Sequence, residues 1–350
     1  MKSIKPSVLF FGTPEFALPT LEALIKNGYA VVGVVTRPDE RVGRRQILTP
    51  PPVKVTAERR GIPVFQPEIL NPARFASEIP QADLFVVAAY GKIIPKAILD
   101  IPKLGALNIH PSLLPRWRGP SPIQAAILHS DVKTGVTIMQ MDEQMDHGQI
   151  VAQRQSEMSK IRPLGEFRGF ARRKPSSWLP TQIPISISKI TYPELHDLLA
   201  KLGAELLIET LPRWIAGEIT PAPQAESQAT YCRLLTKNDG RIDWEKPAEE
   251  IERMIRAYHP WPGSWTIWNT DAGERRIRIE EADAVEDAPP HQIWCGGKPG
   301  LVWQTATHPL LIQTGRGSLS VKKLRLEGKS ATDAASFLRG HPSIIGSTLR

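Results

Sequence analysis

The sequence is poor in cysteine and in long apolar runs. It has two cysteines in 350 residues, Cys232 and Cys295, whose spacing matches no metal-binding motif and which allow at most one disulfide. We therefore expect structural thiols in a cytosolic protein. Near the amino terminus only residues 8–11 are continuously apolar, and no other run is long enough to cross a bilayer. We expect neither a signal peptide nor a membrane span.

The chain is basic, but the basic residues are unevenly distributed. The formal net charge is +8. Between residues 206 and 350 the 18 basic residues equal the 18 acidic ones, so the whole excess lies earlier in the chain. Residues 153–190 alone hold 8 basic and 2 acidic residues. The net charge by itself is therefore weak support for a nucleic-acid partner.

The first part of the chain alternates buried strands with helices. The opening stretches "SVLFFG", "PTLEALIKNG" and "AVVGVVT" predict a strand, an amphipathic helix and a second strand, and "IPVFQ", "ADLFVVAAYG" and "GALNIH" predict three more strands. This pattern is typical of an α/β domain with a Rossmann-like, mostly parallel sheet. Such sheets bind ligands beyond the carboxyl ends of their strands, where Gly12, Tyr90 and Asn108 emerge. The first turn, "FGTPEFALP", lacks the G-x-G-x-x-G pattern, which disfavours a nucleotide site.

The second half predicts a long helix, a linker and a smaller β domain. Thr191 and Glu194 have capping-box spacing at the start of "TYPELHDLLAKLGAELLIETL". After "AEEIERMIRAY", a predicted helix, short strands separated by turns indicate an OB-like β-barrel. A last helix is predicted to be capped by Ser330, with Asp333 in the box position, and to end at Gly340. We therefore expect one domain over residues 1–208, with an atypical insertion at about 153–190, a linker over 209–229 and a second domain over 230–350.

The chemistry concentrates in "LNIHPSLLPRWRGPSPIQ". Asn108 and His110 lie two residues apart at a predicted strand end, so their side chains point to the same side. Acyl transfer needs a donor that polarises a carbonyl next to a group that accepts a proton. Asp142 or Asp146, after the next strand, would supply an acid to orient the imidazole. A structural histidine with satisfied hydrogen bonds is the competing interpretation.

These motifs resemble the 10-formyltetrahydrofolate-dependent formyltransferases, and most closely the branch that formylates methionyl-initiator tRNA. The resemblance also rests on "FFGTPEFALPTLEAL", "VAAYGKIIPKAIL", "GVTIMQMD", "GRIDW" and "AYHPWPGSW", and it runs from about residue 8 to 349 except near 153–190. It implies transfer of a formyl group from 10-formyltetrahydrofolate to the amine of that tRNA. It also implies a cytoplasmic, monomeric enzyme that uses no metal and no membrane.

The resemblance assigns roles to three sets of residues. The implied catalytic residues are Asn108, His110 and Asp146. The implied folate-binding residues are Ser112, Leu113, Leu114 and Pro115, with Tyr90, Gly91, Ile93, Ile94 and Pro95 nearby. The implied tRNA-binding residues, in "RPDERVGRRQILTPPPVK", are Arg37, Arg41, Arg44, Arg45 and Lys54. Residues 116–119 would form a rim that distinguishes this branch, and the second domain would add a basic strip of Lys237, Arg241, Lys322, Lys323 and Arg325.

The sequence departs from the family pattern in three places. The usual Asp-Thr-Gly-Asp is here "DHGQ", which keeps Asp146 and Gly148 but loses the second acid. The basic loop has Glu40, Arg41, Val42, Arg45, Gln46 and Ile47 where the family usually has other residues. The segment after Ile150 is longer than usual, and its "SKI" at 159–161 recurs 29 positions later. Three interpretations fit this segment. It is a surface excursion, a gene-model error, or an extra arm that touches tRNA through Arg162, Arg168, Arg172, Arg173 and Lys174.

Other functions fit the same residues. A formyltransferase acting on a sugar nucleotide or another amine would share the trio, although it has no use for the basic loop. A formyltetrahydrofolate hydrolase would replace the amine with water. A non-catalytic RNA-binding relative is the alternative from a different class.

Overall fold

A computed structural model describes residues 5–43, 45–157, 189–285 and 298–350. The chain folds as two compact units. The first unit takes its described residues from Met1–Pro122, Val132–Ser186 and Leu195–Arg233, and the second takes them from Ile123–Asp131, Ile187–Glu194 and Leu234–Arg350. The predicted domain limits remain a prediction. Arg44, Cys295, the predicted strand "QIWCG" and most of the predicted insertion lie outside the described residues.

The first unit is built on a seven-stranded sheet with the strand order β5-β2-β1-β6-β7-β8-β9. The strands from β5 to β7 are parallel, and β8 and β9 extend the sheet as antiparallel strands. This confirms the predicted mostly parallel α/β sheet. The strands are β1 (Ser7–Gly12), β2 (Ala30–Val35), β5 (Val64–Phe65), β6 (Leu84–Ala88), β7 (Ala106–His110), β8 (Lys133–Gln140) and β9 (Ile150–Glu157), and a separate hairpin pairs β3 (Glu40–Val42) with β4 (Ile47–Thr49).

Apolar residues on both faces of the sheet explain its burial under helices. In β1, Leu9 and Phe11 join Phe75 and Phe85 in one buried cluster, and the ring centroids of Phe11 and Phe85 are 5.3 Å apart. Such uninterrupted apolar strands require cover on both sides. The helices around this sheet are α1 (Leu18–Lys26), α2 (Pro52–Arg59), α3 (Pro72–Glu78), α4 (Lys96–Leu99) and α6 (Tyr192–Ile215), while α5 (Pro122–Leu128) belongs mainly to the second unit.

The long helix α6 begins where the sequence predicts. The carboxylate of Glu194 accepts hydrogen bonds from the backbone N–H and the hydroxyl of Thr191, each at 2.8 Å. The stripe of leucines at helical spacing faces the protein interior, with Leu195 and Leu199 fully buried. After Ile215 the chain continues without regular strands to residue 230, and its backbone hydrogen-bonds to Pro115, Arg118 and Ile150.

The second unit contains a six-stranded antiparallel, β-barrel-like sheet, as predicted. Its strands are β10 (Ser264–Thr270), β11 (Gly273–Val285), β12 (Val302–Trp303), β13 (Leu311–Gln313), β14 (Ser318–Leu326) and β15 (Thr332–Asp333). Helix α7 (Ala248–Tyr258) coincides with the predicted stretch, and its Ile251 and Ile255 enter a core that includes Trp268 and Leu319. In the middle of β11 the buried Ile277 and Ile279 alternate with Arg276 and Arg278, which are more exposed.

One capping prediction was wrong. The last helix, α8 (Ala334–Gly340), is capped by Asp333, whose side chain accepts a 2.8 Å hydrogen bond from the N–H of Ser336. Ser330 lies ahead of strand β15 and does not cap the helix, because pairing of β15 with β14 holds residues 332 and 333 in extended conformation. Within the described ranges, no helix combines the length and apolarity that a membrane crossing requires.

Candidate active site

The candidate site lies where the parallel strands of the first unit end. Gly12 of β1 pairs with Ala88 of β6, and Val87 of β6 pairs with Asn108 of β7. Strands β1 and β6 lie at the point where the strand order reverses, which is where open α/β sheets form ligand crevices. The expectation that the strand ends meet is therefore confirmed by the register. A 2.9 Å hydrogen bond from the Thr13 hydroxyl to the Tyr90 carbonyl joins the loops that follow β1 and β6.

The carboxylate of Asp146 lies near the ring of His110. Asn108 lies on β7 with His110, two residues earlier and on the same side of the strand. His110 is buried, and its Nδ1 is 3.5 Å from Oδ1 of Asp146. Its Nε2 is 3.0 Å from the carbonyl oxygen of Trp117, which only accepts hydrogen bonds. Oxygens thus face both ring nitrogens and fix the orientation of the ring. The amide of Asn108 is half-buried and hydrogen-bonds to no described side chain or backbone group, which leaves it available to a ligand.

The geometry separates the two candidate acids. Asp142 faces away from His110 toward His147, whose Nδ1 is 2.7 Å from Asp142 Oδ2. Asp146 has a positive φ of 51°, which turns its carboxylate back toward the strand. Gly148 makes this turn possible, since a Cβ there would lie 1.9 Å from the Gln140 carbonyl oxygen. The structure therefore brings Asp146, and not Asp142, to the imidazole.

The segment 112–115 is held by a buried hydroxyl on the neighbouring strand. Thr137 Oγ1 donates to the carbonyl of Ser112 at 2.7 Å and accepts from the N–H of Leu114 at 3.1 Å. Gln153 adds a 2.7 Å hydrogen bond from its side-chain amide to the Leu114 carbonyl, and the Ser112 hydroxyl donates to the Arg116 carbonyl at 2.6 Å. This network fixes the backbone of a proline-containing loop. Its Leu113 and Pro115 are half-buried.

The second predicted folate segment, residues 90–95, offers unpaired polar groups. The backbone groups of residues 91–94 make no hydrogen bond to the part of the chain that the structure describes. Tyr90 is buried, its hydroxyl has no partner there, and burial raises its pKa to about 12. Ile93 is 76% exposed while Ile94 is buried, and Pro95 precedes α4. A pterin ring carries donors and acceptors along its edge, so these residues fit the folate that the sequence implies.

The loop 117–119 connects the trio to the segment after α6. The N–H of Gly119 donates to Asp146 Oδ2 at 2.8 Å. Gly119 has a φ of 116°, and a Cβ there would lie 2.1 Å from the carbonyl oxygen of Cys232, so no other residue fits. Cys232 is a free thiol whose pKa burial raises to about 11. Arg116 is exposed, as a rim residue should be, but the side chain of Arg118 is only 2% exposed and binds Glu226.

The predicted tRNA loop forms the hairpin β3–β4, far less buried than the trio. Arg41 donates to the Gln46 carbonyl at 3.1 Å, and Arg45 is exposed with no partner among the described residues. Nζ of Lys54 lies 2.9 Å from both carboxylate oxygens of Asp39. The hydrogen bond from Gln66, and to a smaller extent the one from Lys54, lowers the pKa of Asp39. Arg37 pairs with Glu40 at 2.6 Å. Val42, Ile47 and Leu48 are all more than half exposed.

The predicted basic strip of the second unit is partly neutralised. Lys322 is 2.6 Å from Asp283, and Arg325 pairs with Glu280. Lys237, Arg241 and Lys323 are exposed. No group of three or more potential metal ligands occurs within the described residues.

Sequence reasoning missed the residues that support the trio. Thr137, Gln153 and Gln224 are uncharged, and no spacing rule connects them with the residues whose backbone they bind. Residues 134–139 of β8 are all buried, so Thr137 stands out only as a polar residue inside a buried strand. That is a signal for a hydrogen-bonded partner but not for its identity.

Comparison with known proteins matches both units to formyltransferases. Residues 4–181 match the family described as formyl transferase, and residues 234–342 match the formyl transferase C-terminal domain. A methionyl-tRNA formyltransferase of Chloroflexus aggregans is 43% identical over 336 residues, covering 95% of this chain and 96% of that protein. One of Marinobacter nauticus is 39% identical over 340 residues, covering 97% of each.

Solved structures of low sequence identity share the fold. The sugar 3N-formyltransferase WlaRD, solved with dTDP and 5-N-formyl-THF, has a TM-score of 0.58 at 18% identity, and the match covers 94% of this chain and all of that one. HypX of Aquifex aeolicus, solved with tetrahydrofolic acid, has a TM-score of 0.56 at 18% identity and is covered over 47% of its length. These likenesses bear on the architecture.

Proposed function

Because this chain belongs to the formyl transferase family and matches its methionyl-tRNA formyltransferases over nearly its whole length, we propose that it formylates methionyl-initiator tRNA. The formyl group comes from 10-formyltetrahydrofolate, and the product, formylmethionyl-tRNA, serves translation initiation. The observation that carries this proposal is the convergence of Asn108, His110 and Asp146 at the strand ends of a chain with full-length tRNA-formylating relatives.

The chemistry assigned to the trio is a proton-coupled acyl transfer. The α-amine of the methionyl ester forms a bond to the formyl carbon, the bond from that carbon to N10 of the folate breaks, and the proton of the amine ends on N10. Asn108 donates to the oxyanion that develops on the formyl oxygen, a contribution on the order of 3 kcal/mol. His110 accepts and returns the proton, and Asp146 orients the ring and stabilises its charge.

The hydrogen bond between His110 and Trp117 has a place in this scheme. Nε2 of His110 lies 3.0 Å from the Trp117 carbonyl and carries the proton of that hydrogen bond. This bond must open and the ring proton must move to Nδ1, which faces Asp146, before Nε2 accepts a proton from the reacting amine. Until then the carbonyl and Asp146 hold the ring from opposite sides. Preorganisation of this kind lowers the cost of ordering the group in the transition state.

We assign folate binding to residues 112–115 and to Tyr90, Gly91, Ile93, Ile94 and Pro95. The first segment is rigid because Thr137 and Gln153 hold its backbone, and the second presents free backbone donors and acceptors. We assign tRNA binding to the β3–β4 hairpin, with Arg45 as the best-placed described cation, since Lys54 and Arg37 already have acidic partners. Arg41 extends the same positive surface.

One chain supplies the whole trio, so we propose that the enzyme acts as a monomer. We also propose that it works in the cytoplasm, where translation is initiated. Light scattering coupled to size-exclusion chromatography at micromolar concentration tests the first point. A dimer that loses activity when it dissociates would overturn it.

A formylation assay with three acceptors tests the proposed function. Purified protein and 10-formyltetrahydrofolate are incubated with methionyl-initiator tRNA, with an amino-sugar nucleotide, or with no acceptor. We expect formylmethionyl-tRNA in the first reaction and little folate turnover in the others. Turnover without an acceptor indicates a hydrolase, turnover only with the sugar indicates a sugar formyltransferase, and tRNA binding without turnover indicates a non-catalytic relative.

A further inference from the structure

Three segments of the first unit meet behind Asp146. Residues 117–119 follow the folate segment, residues 142–149 carry the aspartate, and residues 222–232 follow α6. The N–H of Arg118 donates to the Thr230 carbonyl at 2.8 Å, and the Ile150 and Ala222 backbones exchange hydrogen bonds of 2.8 and 2.9 Å. The segment after α6 is thereby fixed against both active-site loops.

Asp146 has a backbone conformation that needs external support. A positive φ is unfavourable for a residue with a Cβ, although aspartate tolerates it better than most. Such conformations persist where the surroundings hold them in place. The Asp146 carbonyl accepts a 2.9 Å hydrogen bond from Nε2 of Gln224, and the same nitrogen lies 2.8 Å from the Gly148 carbonyl.

The amide of Gln224 has a defined orientation. Its Oε1 accepts from Nε of Arg118 at 2.9 Å, so its nitrogen must face the two carbonyl oxygens of the aspartate turn. One end of the side chain therefore has to accept and the other has to donate twice, which suits an amide and excludes a carboxylate. Gln224 is half-buried, and its side chain hydrogen-bonds to Arg118 and to backbone carbonyls but to none of the three side chains of the trio.

Arg118 connects the amide of Gln224 to the loop that contacts His110. Its guanidinium is held by both oxygens of Glu226, at 2.6 and 3.0 Å, and by the Tyr231 hydroxyl at 3.3 Å. Its backbone lies between Trp117, whose carbonyl faces His110, and Gly119, whose N–H holds Asp146. Hydrogen bonding between the two raises the pKa of Arg118 and lowers that of Glu226, so the pair stays charged.

We propose that Gln224 is a positioning residue for catalysis: its amide holds the Asp146 turn against His110 and is anchored in turn by Arg118. The inference rests on the proposed function, since it assumes that Asp146 acts on His110 during formyl transfer. Gln224 itself touches no reacting atom. Its loss therefore lowers kcat through the orientation of Asp146 and leaves substrate binding almost unchanged.

The test compares Gln224→Glu and Gln224→Ala with Gln228→Glu. The first variant keeps an acceptor for Arg118 but turns a negative charge toward two carbonyl oxygens, and the second removes the contact. Gln228 lies in the same segment, is exposed, and its side chain has no partner among the described residues, so Gln228→Glu controls for the added charge. The measurements are kcat, KM for both substrates, thermal stability, and hydrogen exchange at the Gly119 amide, whose N–H binds Asp146.

We expect Gln224→Glu to lower kcat about 100-fold and Gln224→Ala about tenfold, with both KM values within about threefold of the wild type. The Gly119 amide should exchange its hydrogen about tenfold faster in both Gln224 variants, and its exchange rate should be unchanged in Gln228→Glu. Wild-type kcat in Gln224→Glu, or a raised KM with unchanged kcat, overturns the proposal. If Gln224→Glu fails to fold, Gln224→Ala decides. If the wild type does not formylate tRNA, the proposed function fails, and Gly119 exchange alone decides whether Gln224 positions Asp146.

Discussion

The trio and the β3–β4 hairpin belong to the same unit but differ in how their side chains are held. His110 is buried between the Trp117 carbonyl and Asp146, and the loops around it are tied by Thr137, Gln153 and Gln224. The hairpin is exposed along both strands, and Arg45 at its turn has no described partner. His110 and Asp146 are fixed by hydrogen bonds to neighbouring backbone groups, whereas the hairpin presents charge on a surface.

This difference matches two physical demands. Proton and acyl transfer lose rate steeply when a group moves by about 1 Å, so the catalytic side chains need supporting contacts. Phosphate binding depends on charge more than on exact placement and weakens with salt. Substitutions near the trio should therefore change kcat or the KM for the folate, and substitutions in the hairpin should change the affinity for tRNA.

The largest expected effect belongs to His110→Ala. Removing the proposed proton acceptor should lower the single-turnover rate by on the order of 10⁴-fold, as loss of a catalytic histidine does in acyl transfer. The Kd for methionyl-initiator tRNA, measured by filter binding, should stay within about threefold, because the hairpin is untouched. A variant that loses tRNA binding as well would show that the two regions are not separable.

A smaller effect is expected from Thr137→Val. Valine has the shape of threonine but leaves the Leu114 N–H and the Ser112 carbonyl without their partner, which costs about 1–3 kcal/mol of stability. The KM for 10-formyltetrahydrofolate should rise about tenfold, which is about 1.4 kcal/mol of binding. Thr137→Ser keeps the hydroxyl and should behave like the wild type, and a loss of equal size in the serine variant would contradict the role of the hydroxyl.

Arg45→Ala should affect tRNA alone. Losing the proposed phosphate contact of Arg45 should weaken tRNA binding severalfold at low salt and reduce the slope of log Kd against log salt by about 0.9. Arg74→Ala, an exposed arginine on α3, is the matched control. An Arg45→Ala enzyme with lower kcat and unchanged KM for tRNA would place this residue on the catalytic side of the comparison.

The smallest effect concerns Glu226 and acid stability. Hydrogen bonding to Arg118 holds the pKa of Glu226 below its ordinary 4.5, so the unfolded chain binds more protons near that pH. The pair thus stabilises the fold above pH 4.5, and this stability is lost as the pH falls through the lower, folded pKa. Thermal scans should give the wild type a higher melting temperature than Glu226→Gln at neutral pH, and this difference should disappear in acid. A gap that widens in acid would contradict the pairing.

Much of the fold follows from local sequence. The apolar runs of β1, β2 and β6 and the capping box at Thr191 depend on near neighbours, and the structure has them as predicted. Ser330 failed as a cap because strand pairing of residues 332 and 333 with β14, a long-range contact, overrides the local capping signal. The antiparallel direction of β8 is likewise set by its partner strand.

The site was predictable where a motif carries it. Asn108 and His110 share one strand, so alternation alone places them together, while the choice of Asp146 over Asp142 depends on a turn with positive φ. Gln224 lies 78 residues beyond Asp146, and no periodicity joins them. Arg118 shows the limit most clearly, because a charged residue in a predicted rim turns out to be buried against Glu226.

The most direct test of the account is the single-turnover rate of formylmethionyl-tRNA formation by the wild type and by Asp146→Asn, with tRNA affinity measured on the same samples. Asparagine keeps the shape of aspartate but cannot stabilise a charged His110. We expect the rate to fall by on the order of 10³- to 10⁴-fold while the Kd for tRNA stays within about threefold. An Asp146→Asn enzyme with the wild-type rate would contradict the assignment of Asp146 to the catalytic trio.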